Sequence, residues 1–336
     1  MQGANSMPVK MKAIFLEKPG GPLIVKETDI PQPGPGEVLV KIAAAPVNPS
    51  DIAGIKEAQS ENEVNTFIPG FEGSGTVVAA GKGLLPALWK GKRVACASKG
   101  EGRGTWAEYM VTTAPNCFPL SKKVSDEQGS MSLVNPLTAL AFIEIVRDGR
   151  HKAIINNAGA SALGRMVELL CRKERIPLIN IVRKAEQVTL LKGQDSEYVL
   201  NSSELSFPEE LKSLASELKV TILFDSVCGP QLHVLIEALP SGSSVVIYGS
   251  LSPDEYVSVN PRKLLANDIR VTGFYMGGQA KKNGLLKNLM NLRKVSRLMS
   301  SDMKIKIQAR FPLDKAQEAV DTYLNNMTAG KVLLIP

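Results

Sequence analysis

From residue 9 to about 125 the apolar positions come in short β-branched runs broken by glycine and proline. Val38-Leu39-Val40-Lys41-Ile42, Gly75-Thr76-Val77-Val78 and Arg93-Val94-Ala95-Cys96 are examples. Pro19, Pro22, Pro31, Pro33, Pro35, Pro46 and Pro49 fall between such runs. Proline has no N–H to give a ladder, so these positions mark strand ends and turns of a small, irregular β domain. From about 126 the texture changes. Lys152–Ala158 is a compact apolar strand ending in small residues, and Leu163–Lys173 follows as a helix with Leu163, Val167, Leu170 and Cys171 on one side. Pro177–Val182, Thr221–Ser226, Ser244–Ser250 and Ile269–Phe274 read as further buried strands. Pro208–Leu218, Gln231–Leu239 and Gly284–Ser300 read as helices between and after them. Strands alternating with helices predict an α/β fold with a parallel, doubly wound sheet. Phe311 to Pro336 returns to short strands.

The chain has 336 residues, length for about two domains of ~150 residues. At 44% hydrophobic and 22% charged it can bury a sizeable core, which excludes wholesale disorder. No apolar run approaches the ~18 residues of a membrane span. The net charge is +7. Lys281, Lys282, Lys287, Arg293, Lys294, Arg297, Lys304, Lys306 and Arg310 supply nine cations against Asp302 alone, so residues 281–310 carry all of the excess. Leu285, Leu289, Leu292, Val295 and Met299 share one helix face here, with Lys287 and Lys294 opposite. Two readings stand: a docked helix with a solvated basic face, or a surface for an acidic protein, a substrate phosphate or a membrane surface. Nucleic acid is disfavoured, because no aromatic residue interleaves with the charges.

Cys96, Cys117, Cys171 and Cys228 are scattered, with no C-x-x-C, and the histidines are His151 and His233 only. A zinc site needs three or four such ligands together, so no metal site is expected and a reducing compartment is. The first eleven residues carry no apolar core of a secretory signal, so none is expected.

The clearest chemistry lies where strand Ala153–Asn157 enters Ala158-Gly159-Ala160-Ser161-Ala162-Leu163-Gly164 and then a helix. A pyrophosphate at a helix N-terminus needs small residues there, because the backbone must come close and donate its free N–H groups. Gly159, Ala160, Ser161, Leu163 and Gly164 are therefore candidate cofactor contacts. This is a loose version of G-x-G-x-x-G, and it gains force from its strand–turn–helix setting. The next strand ends in Arg183-Lys184, with no acid before Glu186. An acid about 20 residues past the turn would take the ribose 2′-OH of NADH; two cations suit the 2′-phosphate of NADPH instead.

A series of ordered motifs spans nearly the whole chain. They are Met11-Lys12-Ala13-Ile14, Pro35-Gly36-Glu37-Val38-Leu39-Val40, Pro46-Val47-Asn48-Pro49-Ser50-Asp51, Pro69-Gly70-Phe71-Glu72-Gly73-Ser74-Gly75, Gly104-Thr105-Trp106-Ala107-Glu108-Tyr109, Val134-Asn135-Pro136-Leu137-Thr138-Ala139, Tyr248-Gly249-Ser250 and Gly330-Lys331-Val332. With them the chain resembles the zinc-free branch of the medium-chain dehydrogenase/reductase superfamily, which holds quinone oxidoreductases and mitochondrial trans-2-enoyl-thioester reductases. The resemblance implies a GroES-like β domain, 1–125 plus 301–336, beside a Rossmann domain, 126–300, with cofactor and substrate in a cleft between them. The zinc enzymes of the family place ligands where this chain has Asn48, Phe71-Glu72 and Asn135, so the resemblance also implies no zinc.

It further implies that Asn48 lies in the cleft, where its amide would bond the nicotinamide ribose or the acceptor carbonyl. An Asx-type cap before Pro49 is the other reading. Thr138, Tyr248, Gly249, Ser250, Phe274, Met276 and Lys331 would lie along the cofactor. Trp106 and Tyr109 read equally as core aromatics. In the enoyl reductases a tyrosine stands where this chain has Gln59. A carboxamide is no general acid at neutral pH, which weighs against enoyl reduction more than quinone reduction. Three functions follow: an NADPH-dependent quinone or enone reductase, a trans-2-enoyl-thioester reductase, or a non-catalytic reductase-fold subunit. The resemblance adds a homodimer through strand Ile269–Phe274 and a mitochondrial compartment, while the N-terminus leans cytoplasmic.

Overall fold

The computed structural model of the chain describes residues 9–16, 21–60, 67–100, 102–254 and 256–336, apart from the side chains of residues 57, 59, 60 and 285. Two units emerge, Met1–Val134 with Leu292–Pro336, and Asn135–Asn291.

In the first unit β1 (Lys10–Leu16) and β2 (Leu23–Asp29) form an antiparallel ribbon. The central strand is β3 (Glu37–Pro46). Its run is apolar on both faces because both are covered: Val38, Val40 and Ile42 enter one buried cluster, Leu39 the other. Helix α1 (Pro49–Ser60) leads to β4 (Glu72–Ala80), α2 (Leu84–Trp89), β5 (Arg93–Ala97), β6 (Tyr109–Thr113) and β7 (Cys117–Pro119). Short α3 (Asp126–Ser130) and long α4 (Val134–Asp148) follow. Trp106 is fully buried, its indole N–H donating to the Pro46 carbonyl at 3.3 Å. The four cysteines are free and buried; Cys96 and Cys117 face each other across β5 and β7.

The second unit repeats strand then helix: β8 (Ile154–Asn156), α5 (Ala162–Glu174), β9 (Leu178–Val182), α6 (Ala185–Lys192), β10 (Tyr198–Asn201), α7 (Phe207–Glu217), β11 (Ile222–Asp225), α8 (Gly229–Ala238), β12 (Ser244–Ile247), α9 (Pro261–Asn267) and β13 (Arg270–Gly273). The strands are parallel, in the order β10-β9-β8-β11-β12-β13. That is the 3-2-1-4-5-6 order of a dinucleotide-binding sheet, with its switch point between β8 and β11. The expected doubly wound sheet is present. One expectation changes: Ile269–Phe274 is not a buried strand. All four residues of β13 are exposed, because it is the sheet edge and an apolar run cannot reveal edge from centre.

Helix α10 (Met276–Ser301) begins before the expected Gly284 and is broken there, at φ +71°. After the break Val295, Leu298 and Met299 are buried, but Leu289 is exposed, and the Leu285 side chain lies outside the described residues. Lys287 is ion-paired with Glu144 at 3.0 Å. The chain then forms β14 (Ile307–Pro312), α11 (Ala316–Asn325) and β15 (Lys331–Ile335). These strands extend the first unit's sheet to the order β14-β15-β3-β4-β5-β7, with β6 alongside β3.

Candidate functional site

At the carboxyl end of β8 the chain turns sharply. Ala158 takes the left-handed conformation, at φ +52°. The Gly159 amide donates to the Ile181 carbonyl at 3.0 Å, clamping the turn to β9. A Cβ on Gly159 would lie 2.7 Å from Asn180 Oδ1, and one on Gly164 would lie 2.3 Å from the Gly159 carbonyl. Both positions therefore require glycine, one for the turn and one for seating the helix on it. Ser161 caps α5, its Oγ accepting from the Gly164 amide at 3.0 Å. Ala160 and Leu163 are buried beside it. A positive helix end under a close-approaching backbone is the geometry that holds a pyrophosphate. Arg183 and Lys184 are exposed immediately after β9, next to this turn in the sheet.

The other strand ends complete this half. Asp225, fully buried at the end of β11, accepts from the amides of Val227 at 2.9 Å and Cys228 at 3.2 Å, and from the Asn157 side chain. Asn157 Oδ1 accepts in turn from the Ser226 amide at 2.9 Å. Tyr248, after β12, donates its hydroxyl to Asn156 Oδ1 at 3.3 Å; burial pushes this phenol well above its usual range. Phe142 stacks on Phe224 at 4.0 Å and meets Tyr248 and Phe274 edge-on. Gly249, Phe274 and Met276 are half-buried, Ser250 exposed, and Thr138 buried on α4. The expected second-unit residues thus gather at the carboxyl ends of the strands, apart from Thr138 on α4. Sequence reading gave no site role to Asn156, Asn157 or Asp225. It also missed Arg165, whose guanidinium donates to the Ala160 carbonyl at 2.9 Å.

The first unit holds a buried cluster of charges. Pro49 opens α1, where a missing N–H costs nothing, and Asn48 is the cap. Asp51, two residues into the helix beyond Pro49, accepts from the Asn48 amide at 2.7 Å and reaches across to the Phe71 amide at 2.8 Å. Glu72 accepts from Asn48 Nδ2 at 3.1 Å with one oxygen. With the other it accepts from the amides of Leu133 and Val134 at 3.0 and 2.9 Å, capping the start of α4. Lys331 donates to Asn48 Oδ1 and lies 5.8 Å from the Tyr323 ring centre. Asn48, Asp51, Glu72 and Lys331 are each at most 2% exposed.

Burial dominates the electrostatics. It pushes Asp51 up to about 7, against the pull of its two amide bonds and with Glu72 adding to the rise. It raises Glu72 and lowers Lys331, and in each case the opposite charge resists. The sequence offers two uses for the Asn48 amide, toward a ligand or as a turn cap. The geometry shows a third: Oδ1 is held by Lys331 and Nδ2 is spent on Glu72. Gln59 is in α1, but its side chain lies outside the described residues.

Residues 34–122 match the family model of the alcohol dehydrogenase GroES-like domain, and residues 162–291 that of the zinc-binding dehydrogenase. A solved structure from Mesorhizobium loti, named for NADPH:quinone reductase, is 33% identical, with a TM-score of 0.90 over 98% of this chain and 100% of that one. The chain belongs to the medium-chain dehydrogenase/reductase superfamily. Other superfamily members are also similar. The mouse mitochondrial enoyl-[acyl-carrier-protein] reductase is 28% identical over 98% of this chain and 90% of its own length. A rat quinone oxidoreductase is 22% identical over 97% and 98%.

The second family model is named for zinc, and the residues present do not fit that ion. Both oxygens of Glu72 and both of Asp51 are occupied by amide donors, and an ammonium completes their cluster. Among the described residues no three His, Cys, Asp or Glu side chains converge.

Proposed function

We propose that this superfamily member is an NADPH-dependent oxidoreductase that reduces a quinone, enone or trans-2-enoyl thioester without a metal. The observation that carries the reading is the Gly159 turn at the switch point, with Arg183 and Lys184 beside it at the end of β9. The cofactor supplies the hydride when bound. The protein's part is to bind, orient and exclude water. The first amides of α5 hold the pyrophosphate, and Arg183 and Lys184 take the 2′-phosphate. Tyr248, Gly249, Ser250, Phe274 and Met276 flank the nicotinamide half and Thr138 on α4 contacts it, while Lys331 is spent on Asn48 in the buried cluster. The buried Asn48–Glu72–Lys331 cluster fixes the start of α1 and α4.

Quinone reduction is favoured over thioester reduction by Gln59, since a reduced quinone collects its protons from water. The mouse relative's name keeps the enoyl thioester as the second acceptor. The test is NADPH oxidation by the purified protein with a quinone panel and with crotonyl-CoA. Turnover of a quinone supports the reading. NADPH binding without turnover of either class favours the non-catalytic subunit, and no binding removes the cofactor assignment.

Two partner surfaces go with this reading. The exposed edge strand β13 suits pairing with a second copy, giving a homodimer. Arg293, Lys294, Arg297, Lys304 and Lys306 are exposed and carry no ion pair among the described residues, which suits an acidic protein. Arg310 is ion-paired with Glu127 at 2.5 Å. No described helix is long and apolar enough to cross a membrane. The mitochondrial names of several relatives favour that compartment over the cytoplasm.

A further inference from the structure

We propose that Asn180, held by Glu168, is a positioning residue for the dinucleotide turn. The inference rests on the cofactor reading above and adds residues that the glycine motif does not contain. Asn180 is a polar residue in the middle of the apolar strand Leu178–Val182, and it is fully buried. Its Nδ2 donates to Glu168 Oε2 at 2.5 Å, and Glu168 lies on α5, 7% exposed. Its Oδ1 points at the place a Gly159 Cβ would occupy, at 2.7 Å, and has no hydrogen-bond partner.

Stability alone does not call for this pair. A buried carbonyl without a donor is a cost, and so is a carboxyl inside the fold; burial raises the Glu168 carboxyl above its usual range. Two apolar side chains of similar size would fill the space without either penalty. What the pair does is geometric. Glu168 sits about two turns after the capping residue Ser161 on the same helix, while Asn180 belongs to the strand that runs on into Arg183. The Gly159 amide is already bonded to Ile181, next to Asn180. The Glu168–Asn180 bond therefore locks the height of the α5 amides against β9. That fixes the spacing between the pyrophosphate site and the 2′-phosphate site. A rigid pair of subsites binds the dinucleotide without first having to be ordered itself.

The experiment is direct titration of NADPH, followed by fluorescence, on the full-length protein and its variants, with steady-state kinetics beside it. Asn180→Leu and Glu168→Leu are expected to raise the NADPH Kd about tenfold, with kcat changed less than about twofold. Glu168→Gln keeps an acceptor for Asn180 Nδ2 and is expected to bind within about twofold of wild type. The Asn180→Leu/Glu168→Leu double variant is expected to lose no more than either single one, because both act through one bond. Thermal melting without NADPH reports folding independently. If Asn180→Leu fails to fold, the contrast between Glu168→Gln and Glu168→Leu still decides. Unchanged affinity in Asn180→Leu, or Glu168→Gln as weak as Glu168→Leu, overturns the inference. A wild-type protein that binds no NADPH overturns the cofactor reading itself, a result distinct from tight binding that ignores Asn180.

Discussion

The Lys331 ammonium donates to the Asn48 side-chain oxygen, a contact between residues 283 apart in sequence. Lys331 opens the last strand and Asn48 immediately precedes the first helix. Between them stand two carboxyl groups, Glu72 and Asp51, both fully buried. Removing the one cation leaves those carboxyls without compensation. Lys331→Met is expected to destabilise the protein by about 3–5 kcal/mol, read from the urea midpoint at constant m-value. Lys331→Met with Glu72→Gln should recover part of that loss. A Lys331→Met cost below about 1 kcal/mol would mean that the cluster is already neutral in the folded state.

Asp51 makes stability depend on pH with a definite sign. Folded, its carboxyl keeps a proton up to about 7; its ordinary value is 3.8. Between those values the folded state binds more protons than the unfolded state. The contribution is therefore complete below about pH 4 and is lost as pH rises through 7, at no more than about 1.4 kcal/mol per pH unit. Asp51→Asn removes the titration. Urea unfolding at pH 5, 6, 7 and 8 should show wild type losing stability relative to Asp51→Asn across the series. Parallel pH profiles for the two proteins would place the Asp51 titration elsewhere.

On the proposed reading, Arg183 and Lys184 separate NADPH from NADH. A charge-assisted bond to a phosphate is worth about 1.5–3 kcal/mol, so Arg183→Ala with Lys184→Ala should raise the NADPH KM roughly 10- to 100-fold. The NADH KM should move less than about threefold, since that cofactor has no 2′-phosphate. An equal loss for both cofactors would mean that the cations act on the fold rather than on the phosphate.

Much of this arrangement was legible in the chain, and the side-chain contacts that were not share one cause. The Gly159 turn could be read because strand, small residues and helix are contiguous. The β-branched run of β3 announced a strand, but not that both its faces would be covered. The Asn48–Glu72–Lys331 cluster was only partly legible: its members lie in separate motifs, and no local pattern says that their side chains meet. Asn180 did leave a signal, a lone amide inside Leu178–Val182, but its partner on α5 depends on how helix and strand pack. β13 misleads for the opposite reason, since β-branched residues look alike at the edge and in the centre of a sheet.

That edge should govern assembly. β13 presents unpaired backbone groups and the exposed side chain of Val271, so a second copy can extend the sheet. Val271→Pro removes one outward-facing ladder donor, since Arg270 and Phe274 turn their N–H groups inward to β12, and it stiffens the strand. Light scattering should give wild type twice the 36.2 kDa chain mass and the variant a single chain mass. Wild type at one chain mass at every concentration would remove the dimer.

On the proposed reading of an acidic partner, the basic surface should separate carrier-bound from free substrates. Met303 and Ile305 are buried while Lys304 and Lys306 alternate outward, on the same unit as exposed Arg293, Lys294 and Arg297. Lys287 does not belong to this free set, because Glu144 already neutralises it. Exposed cations around a docking face act mainly on encounter rate and are screened by salt. Lys294→Glu with Arg297→Glu should therefore raise the KM for an enoyl thioester on an acidic acyl carrier protein about tenfold at low ionic strength. The effect should shrink as salt rises past 0.15 M, where the screening length is about 8 Å. The KM for the same acyl group on CoA, and the NADPH Kd, should stay within about twofold. Equal losses on both thioesters would point to the substrate phosphate, not the carrier, as the anion these cations meet.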